Sequence, residues 1–211
     1  GHPDKKFKVK IATWIAGAAF NSNLALYMGG EEVTISNQYL TPDATEFWCD
    51  VNIPATFATG VQDVQVVNPD QGQWTLTNAI TINPKPTFTS ITPSEVGQGN
   101  QGARFTVKGS DIQDGCTIDF GLGFTVLDYE YDAANSSFTV TVNVAGSATS
   151  GYRSVTIRNP DLGYATKANA MNVIPKPEIT SITPSRRARG VTGSTITVIG
   201  SNFNEVGGVA P

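Results

Sequence analysis

The sequence repeats itself at a spacing of 91 residues, and that spacing limits what the chain can become. Pro84-Lys85-Pro86 returns as Pro175-Lys176-Pro177, and Ser90-Ile91-Thr92-Pro93-Ser94 returns as Ser181-Ile182-Thr183-Pro184-Ser185. Val107-Lys108-Gly109-Ser110 is matched by Val198-Ile199-Gly200-Ser201, and Asn68-Pro69-Asp70 by Asn159-Pro160-Asp161. The alternating series Phe47, Cys49, Val51, Ile53 falls on Phe138, Val140, Val142, Val144. Near the start, Gly17-Ala18-Ala19-Phe20-Asn21 aligns with Gly200-Ser201-Asn202-Phe203-Asn204, and between them with Gly109-Ser110. Ile11 to Ile15 is therefore expected to be a strand leading into a glycine turn. A repeat of this length is one structural unit used more than once.

Within a unit the period is two. Phe138, Val140, Val142 and Val144 alternate with Thr139, Thr141 and Asn143, the mark of a strand with one buried and one wet face. Arg104 to Lys108, Cys116 to Phe120, Gly123 to Leu127 and Ser154 to Arg158 read the same way, separated by clusters of Gly, Asn, Asp, Ser and Pro. Short strands with turn signals every 8–12 residues predict a sandwich or barrel, and about 90 residues is the size of one immunoglobulin-like sandwich. No segment carries a helix period. The predicted fold is all-β, with tandem immunoglobulin-like sandwiches. Residues 1–83 form a unit without its opening strand, and 84–174 a complete unit. Residues 175–211 hold the opening strands of a third, Glu178 to Thr183 and Thr195 to Ile199. Two strands cannot bury a core by themselves. Asn83-Pro84-Lys85-Pro86 and Asn172 to Pro177 read as short, Pro-rich, semi-rigid linkers.

Composition removes several function classes. The net charge is −4, so no basic field draws the chain to nucleic acid. Arg186, Arg187 and Arg189, with no aromatics between them, make a poor phosphate track. No apolar run is long enough for a membrane-spanning helix. Lys5 to Lys10 followed by Ile11 to Ala19 has the outline of a secretory leader, but the repeat assigns the stretch to a strand. With one His, His2, and two Cys, little is available for histidine chemistry or a disulfide framework. No phosphate loop, Ser-His-Asp set, paired CxxC or dinucleotide fingerprint is present, so no enzyme, cofactor or metal is expected.

Taken in order, Pro177 to Ser185, the Gly-rich turn, Ile196 to Phe203, and the late Val-x-Asn-Pro-Asp turn at Val66 to Asp70 resemble the IPT/TIG family. These are immunoglobulin-like domains of the E-set type. They occur in bacterial and archaeal surface proteins, in plexin-type receptors, beside some starch-acting enzymes and in Rel-type transcription factors. The resemblance covers nearly the whole chain. The first copy departs from it in lacking the Ile-Thr-Ser-Ile-Thr-Pro strand. Tandem copies in an acidic, Thr-rich chain are similar to the microbial surface type, which implies an extracellular or cell-surface location.

The individual candidates read as follows. Cys49 and Cys116 lie on inward parity in different units and are expected to be buried and unpaired. Asp128, Glu130 and Asp132 alternate with Tyr129 and Tyr131; that spacing gives a solvated strand face rather than a compact calcium loop. Asn68 to Gly72 and Asn159 to Gly163 read as turns in which Asn and Asp cap the backbone, Pro sets φ and Gly accepts positive φ. Asn135-Ser136-Ser137 is a lone glycosylation sequon. Trp14, Trp48 and Trp74 lie on outward or uncertain parity and are the candidate contacts for glycans or a partner protein.

Two functional classes follow. The first is a non-catalytic structural module of an extracellular surface protein, a stalk or fibre. Its partners are other copies or neighbouring repeats. In its sharper form Glu178, Ile179, Ser181 and Ile182 of one chain complete the first sandwich of the next by strand addition, giving a head-to-tail filament. The plainer alternative is a window from a longer repeat array. The second class is an adhesin, or a carbohydrate-binding accessory module of a secreted polysaccharide-acting enzyme, with surface glycans as ligands.

Overall fold

The computed structural model describes residues 11–12, 24–40 and 46–203. The chain divides into two compact units, Gly1–Lys85 and Pro86–Pro211. Among the described residues the regular structure is all strand apart from one short 3-10 turn.

The first unit contains β1 (Ile11–Ala12), β2 (Ala25–Met28), β3 (Glu31–Leu40), β4 (Glu46–Asn52), β5 (Gly60–Val67) and β6 (Gln73–Ile82). They follow one another laterally as β1-β4-β3-β2-β5-β6. The long β3 serves both halves, pairing with β2 near its start and with β4 further on. The sheet thus closes over a core of Leu26, Met28, Val33, Phe47, Cys49, Val64 and Val66. β1 is antiparallel to β4, with Ile11 opposite Phe47. In the second unit Phe138, the counterpart of Phe47, faces Val107, which the repeat aligns with Ile15. This pairing is displaced by four residues from the repeat. An even displacement is compatible with period-two patterning, because it does not exchange the two faces of a strand. The rest of the expected strand Ile11 to Ile15 lies outside the described residues.

The second unit begins with β7 (Ser90–Thr92), β8 (Glu95–Gly97), β9 (Ala103–Lys108), β10 (Thr117–Asp119) and β11 (Phe124–Asp132). A 3-10 turn at Ala133–Asn135 leads to β12 (Ser137–Val144), β13 (Gly151–Arg158) and β14 (Tyr164–Ile174). Two four-stranded sheets, β10-β13-β14-β8 and β11-β12-β9-β7, face each other. Phe105, Val107, Phe138, Val140, Val142, Val155, Ile157 and Met171 fill the space between them. The period-two pattern dictates this: all four of Phe138, Val140, Val142 and Val144 are buried, while Thr139, Thr141 and Asn143 are half-buried. The chain is a tandem of immunoglobulin-like β-sandwiches. β15 (Glu178–Thr183) and β16 (Thr197–Ser201) form a further two-stranded antiparallel sheet of their own.

The period survives in the backbone where residue identity does not. Positive φ recurs at Gly60 and Gly151, at Gln71 and Leu162, and at Asn78 and Asn169. The β5–β6 ladder slips between Gln62 and Val64, and the β13–β14 ladder slips at the matching Arg153 and Val155. Thr92-Pro93 and Thr183-Pro184 are both cis.

The repeated Val-x-Gly-Ser has a steric cause. A Cβ on Gly109 would run into the carbonyl of Thr87, and a Cβ on Gly200 into that of Glu178. Only glycine lets the opening segment pass so close to the strand beside it. The Asn-Pro-Asp turns correct one expectation. Positive φ falls on Gln71 and Leu162, not on Gly72 and Gly163, whose amides instead donate to Asp70 Oδ1 and Asp161 Oδ1 at 3.0 Å. Gly163 is small for another reason: a Cβ there would come within 3.0 Å of Pro86 Cδ.

Candidate functional site

The three tryptophans do not form one platform. Trp14 lies outside the described residues. Trp48 sits on the outer face of β4, half-buried, with Nε1 donating to Glu46 Oε2 at 3.1 Å. Directly opposite it on β3 is Tyr39, 57% exposed, an aromatic neighbour that its position in the sequence did not single out. Asp50, on the same side of β4, takes a hydrogen bond from Asn37 Nδ2 at 2.5 Å. Trp48 and Trp74 are on strands at different places in the sheet, β4 near one end and β6 at the other.

For Trp74, of outward or uncertain parity in the sequence, the ladder decides the side. Trp74 pairs with Val66 of β5, and Leu76 pairs with Val64. Directly opposed residues of an antiparallel pair share a face, and Val64 and Val66 are core residues. Trp74 and Leu76 therefore stand on the inward side of β6, yet they are 66% and 60% exposed. Leu76 was missed in the sequence, although the alternation Trp74, Leu76 against Thr75, Thr77 carries the signal.

Glu178, Ile179, Ser181 and Ile182 all lie on β15, every residue of which is exposed. Ile179 sits across from Gly200, and Ile182 from Val198. By the repeat, Ile179, Ile182, Ile196, Val198 and Phe203 correspond to Phe88, Ile91, Phe105, Val107 and Ile112. In the second unit four of those five are buried and Phe88 packs against them. Here all five are 43–61% exposed. The small sheet displays the face that its counterpart uses to build a core.

The polar candidates resolve into structural roles. Asp128 and Glu130 point outward, and Glu130 accepts from Arg104 Nη2 at 3.2 Å in an exposed pair of little energetic weight. Asp132 caps the 3-10 turn, accepting from the amides of Ala134 and Asn135. A hydrogen bond from the Asn135 side chain, with help from those amides, holds its carboxyl below the ordinary value. Asn135, the sequon residue, is thereby engaged at 2.6 Å from Asp132 Oδ2. Tyr131 donates its hydroxyl to the Ile112 carbonyl at 2.8 Å, and Tyr129 Oη accepts from the Ile118 amide at 3.3 Å. The cleft of about 200 Å³ that these rings line with Cys116 and Phe138 is thus a seam whose hydroxyls are bonded to backbone.

Cys49 and Cys116 are buried and free, and burial, with Asp50 and Asp114 nearby, pushes both thiols up to about 11. A thiol protonated to that degree is a poor nucleophile at neutral pH. Arg187 donates to the Thr195 carbonyl at 2.9 Å within the β15–β16 connection. Among the described residues no group of three His, Cys, Asp or Glu could hold a metal ion, and no helix is long and apolar enough to cross a membrane.

No protein-family model matches the chain, and no curated protein matches it. Among solved structures, the full extracellular region of plexin A4, domains 1 to 10, matches 93% of this chain at 16% identity with a TM-score of 0.43. A Bacteroides ovatus protein, SGBP-B of a mixed-linkage glucan utilization locus in complex with a mixed-linkage heptasaccharide, matches 82% at 11% identity and a TM-score of 0.27. The N-terminal eight Ig domains of Down syndrome cell adhesion molecule match 87% at 10% identity and a TM-score of 0.29. The chain spans 18%, 45% and 28% of those three chains.

Proposed function

We propose that the chain is a non-catalytic structural module of an extracellular or cell-surface protein, a length of stalk or fibre built from IPT/TIG-type sandwiches. The observation that carries this reading is what the 91-residue period preserves. The recurring features are core positions, a ladder slip, paired positive-φ positions and the glycine at a strand crossing, all of which build the fold. A reactive constellation is not among the things repeated. Load on such a module is borne by the antiparallel ladders, and each sandwich yields as a cooperative unit. Pulling single molecules by their ends tests this. The second unit should rupture in one step and release on the order of 300 Å of chain, at roughly 3.3–3.6 Å per residue. Gradual extension without a discrete event, or turnover of a polysaccharide or peptide by the purified chain, would remove the reading.

A second reading is favoured by the Tyr39–Trp48 pair. Two aromatic residues directly opposite each other on neighbouring strands, with Glu46 bonded to the Trp48 indole, suit the apolar face and hydroxyl rim of a sugar. Titration with β-linked glucan oligosaccharides should quench Trp48 fluorescence under this reading, and Trp48→Ala should abolish the response. No change in fluorescence up to millimolar oligosaccharide would discard it.

A further inference from the structure

The two units treat one pair of strands differently. By the repeat, Leu24, Leu26 and Met28 correspond to Cys116, Ile118 and Phe120, and Val33 and Ile35 to Phe124 and Val126. β2 and β3 of the first unit therefore stand where β10 and β11 stand in the second. β2 turns at Gly29-Gly30 and pairs with β3, Leu26 against Val33. β10 and β11 instead go to different sheets, each at its end, and among the described residues no ladder joins them. Every residue from Pro86 to Ile174 is described, so the open seam belongs to the unit itself. Two tyrosines of β11 reach across it. Tyr129 and Tyr131 lie opposite Val140 and Phe138, on the inward side. The Tyr129 hydroxyl accepts from the Ile118 amide, and the Tyr131 hydroxyl donates to the Ile112 carbonyl. The Ile118 amide thus points out of the free edge of β10. At 3.3 Å it is held by a side chain where a neighbouring strand would offer a carbonyl. Beside it lies the cleft of about 200 Å³, with Cys116, Tyr131 and Phe138 among its walls and the exposed Asp114 among its lining residues.

We propose that this seam receives an extended segment of a partner protein, which adds to β10 as a further strand. A backbone carbonyl of the segment takes the Ile118 amide from the Tyr129 hydroxyl. Successive side chains of an added strand point to opposite sides. Those on the inward side enter the cleft between Cys116, Tyr131 and Phe138, which suits a branched apolar group. Those on the outward side stand beside Thr117 and Asp119. Charge says what they are. Asp114, Asp119, Asp128, Glu130 and Asp132 lie along the seam and the two strands that flank it. Among the neighbouring cations, Arg104 holds Glu130, Lys108 acts on Asp132, and Arg158, across from Thr117, lies over the Tyr164 ring. Asp114, Asp119 and Asp128 form no ion pair among the described residues. The partner strand therefore alternates lysine or arginine with a branched apolar residue. The same carboxylates, together with the ladder slip between Val126 and Asp128, oppose edge-to-edge pairing of two copies of this chain. Docking here leaves the load-bearing ladders untouched, so the site stands apart from the role proposed above.

A short peptide alternating lysine with valine, titrated into the isotope-labelled full chain, tests this. It should move the backbone amide resonances of Ile118 and its β10 neighbours, with a dissociation constant on the order of micromolar to millimolar for so small a contact. The same peptide with glutamate for lysine should leave them in place. Asp114→Asn combined with Asp119→Asn should weaken binding about threefold or more. Both positions are exposed, and asparagine keeps the oxygen with which Asp119 accepts from the Gly121 amide, so the unfolding midpoint should stay with the parent. Tyr129→Phe frees the Ile118 amide and should tighten binding about fivefold, since one hydrogen bond no longer competes. A general attraction between a cationic peptide and an acidic chain does not depend on that hydroxyl. No movement of Ile118 up to about 1 mM peptide, equal binding of the glutamate peptide, or a Tyr129→Phe chain that binds no better would each overturn the proposal. Movement of Ile118 with protein concentration alone would name a second copy as the occupant and overturn it too.

Discussion

β6 and β14 are the same strand by sequence position, by ladder slip and by a positive-φ asparagine at the same place, yet they end up in opposite circumstances. β14 buries Ala170, Met171 and Val173, whereas the matching stretch of β6 buries only Ile82. The difference comes from beyond the strand. Where Pro86 to Thr92 crosses, the inward positions are small or long and polar-tipped, Ala165 and Lys167. Where no described segment crosses, they are Trp74 and Leu76. A strand's own alternation therefore decides which way its side chains point, while a different segment decides whether they are buried. The first half of that statement can be read locally and the second cannot.

The sharpest way to break the comparison is to lift the cover off β14. Gly109→Val puts a branched side chain where the Thr87 carbonyl lies, and the opening segment must leave. The second unit should lose more than about 3 kcal/mol, the range reached when core cover is lost. All three tryptophans belong to the first unit, so their fluorescence transition in urea should stay in place. Only the circular-dichroism transition of the second unit should move. A loss below about 1 kcal/mol would mean that the crossing is not what holds the segment.

The next effect compares the two Asn-Pro-Asp turns. Both close with the same backbone bonds, Asn68 to Gly72 and Asn159 to Gly163, each at 2.8 Å. Asn159 is 2% exposed, and its side chain donates to the Asp111 carbonyl at 2.7 Å and accepts from the Gln113 amide at 3.2 Å. The Asn68 Oδ1 has no partner among the described residues. Asn159→Ala strands a buried amide and carbonyl and should cost about 2 kcal/mol, while Asn68→Ala should cost less than about 1. Equal losses in paired urea titrations would show that the two turns are held alike.

Much of this was legible beforehand, for stated reasons. Phe138, Val140, Val142 and Val144 announce a buried face because a strand has only two sides. Cys49 and Cys116 could be placed inside by the same parity. The turns at Asn68 and Asn159 were recognisable as turns, but the residue taking positive φ was misassigned, because glycine was credited with flexibility when Gly163 is needed for closeness to Pro86. Trp74 is exposed, as expected of it, but the side of β6 it stands on is shown only by its partner Val66, a core residue on another strand. Tyr39 was missed because the β3–β4 ladder slips between Ser36 and Tyr39, and counting residues across a slip loses the partner.

A smaller effect sharpens the likeness of the two units. Cys49 and Cys116 are each raised from 9.0 to about 11, chiefly by burial. The folded chain then holds those protons more tightly than the unfolded chain. Stability from each thiol is complete below pH 9.0, falls as the unfolded thiol ionises, and is lost by about pH 11. Urea midpoints measured from pH 8 to pH 11 should decline for both units. Cys49→Ala should flatten the decline in the tryptophan signal, and Cys116→Ala that of the second unit. A slope unaffected by either substitution would assign the alkaline loss to other groups.

The smallest expected effect bears hardest on the comparison. Trp74 is the largest side chain on β6 and points to the side where cores are built, so an ordinary inward tryptophan replaced by Ser should lose several kcal/mol, about 3–5 when truncated to Ala. At 66% exposure it has little buried surface to lose, and Trp74→Ser should shift stability by no more than about 0.5 kcal/mol. The measurement is a circular-dichroism urea titration at low micromolar concentration, where single chains dominate. A loss above about 2 kcal/mol would mean that β6 is covered from within its own chain. In that case β6 and β14 would share one environment, and the contrast between them would fall with it.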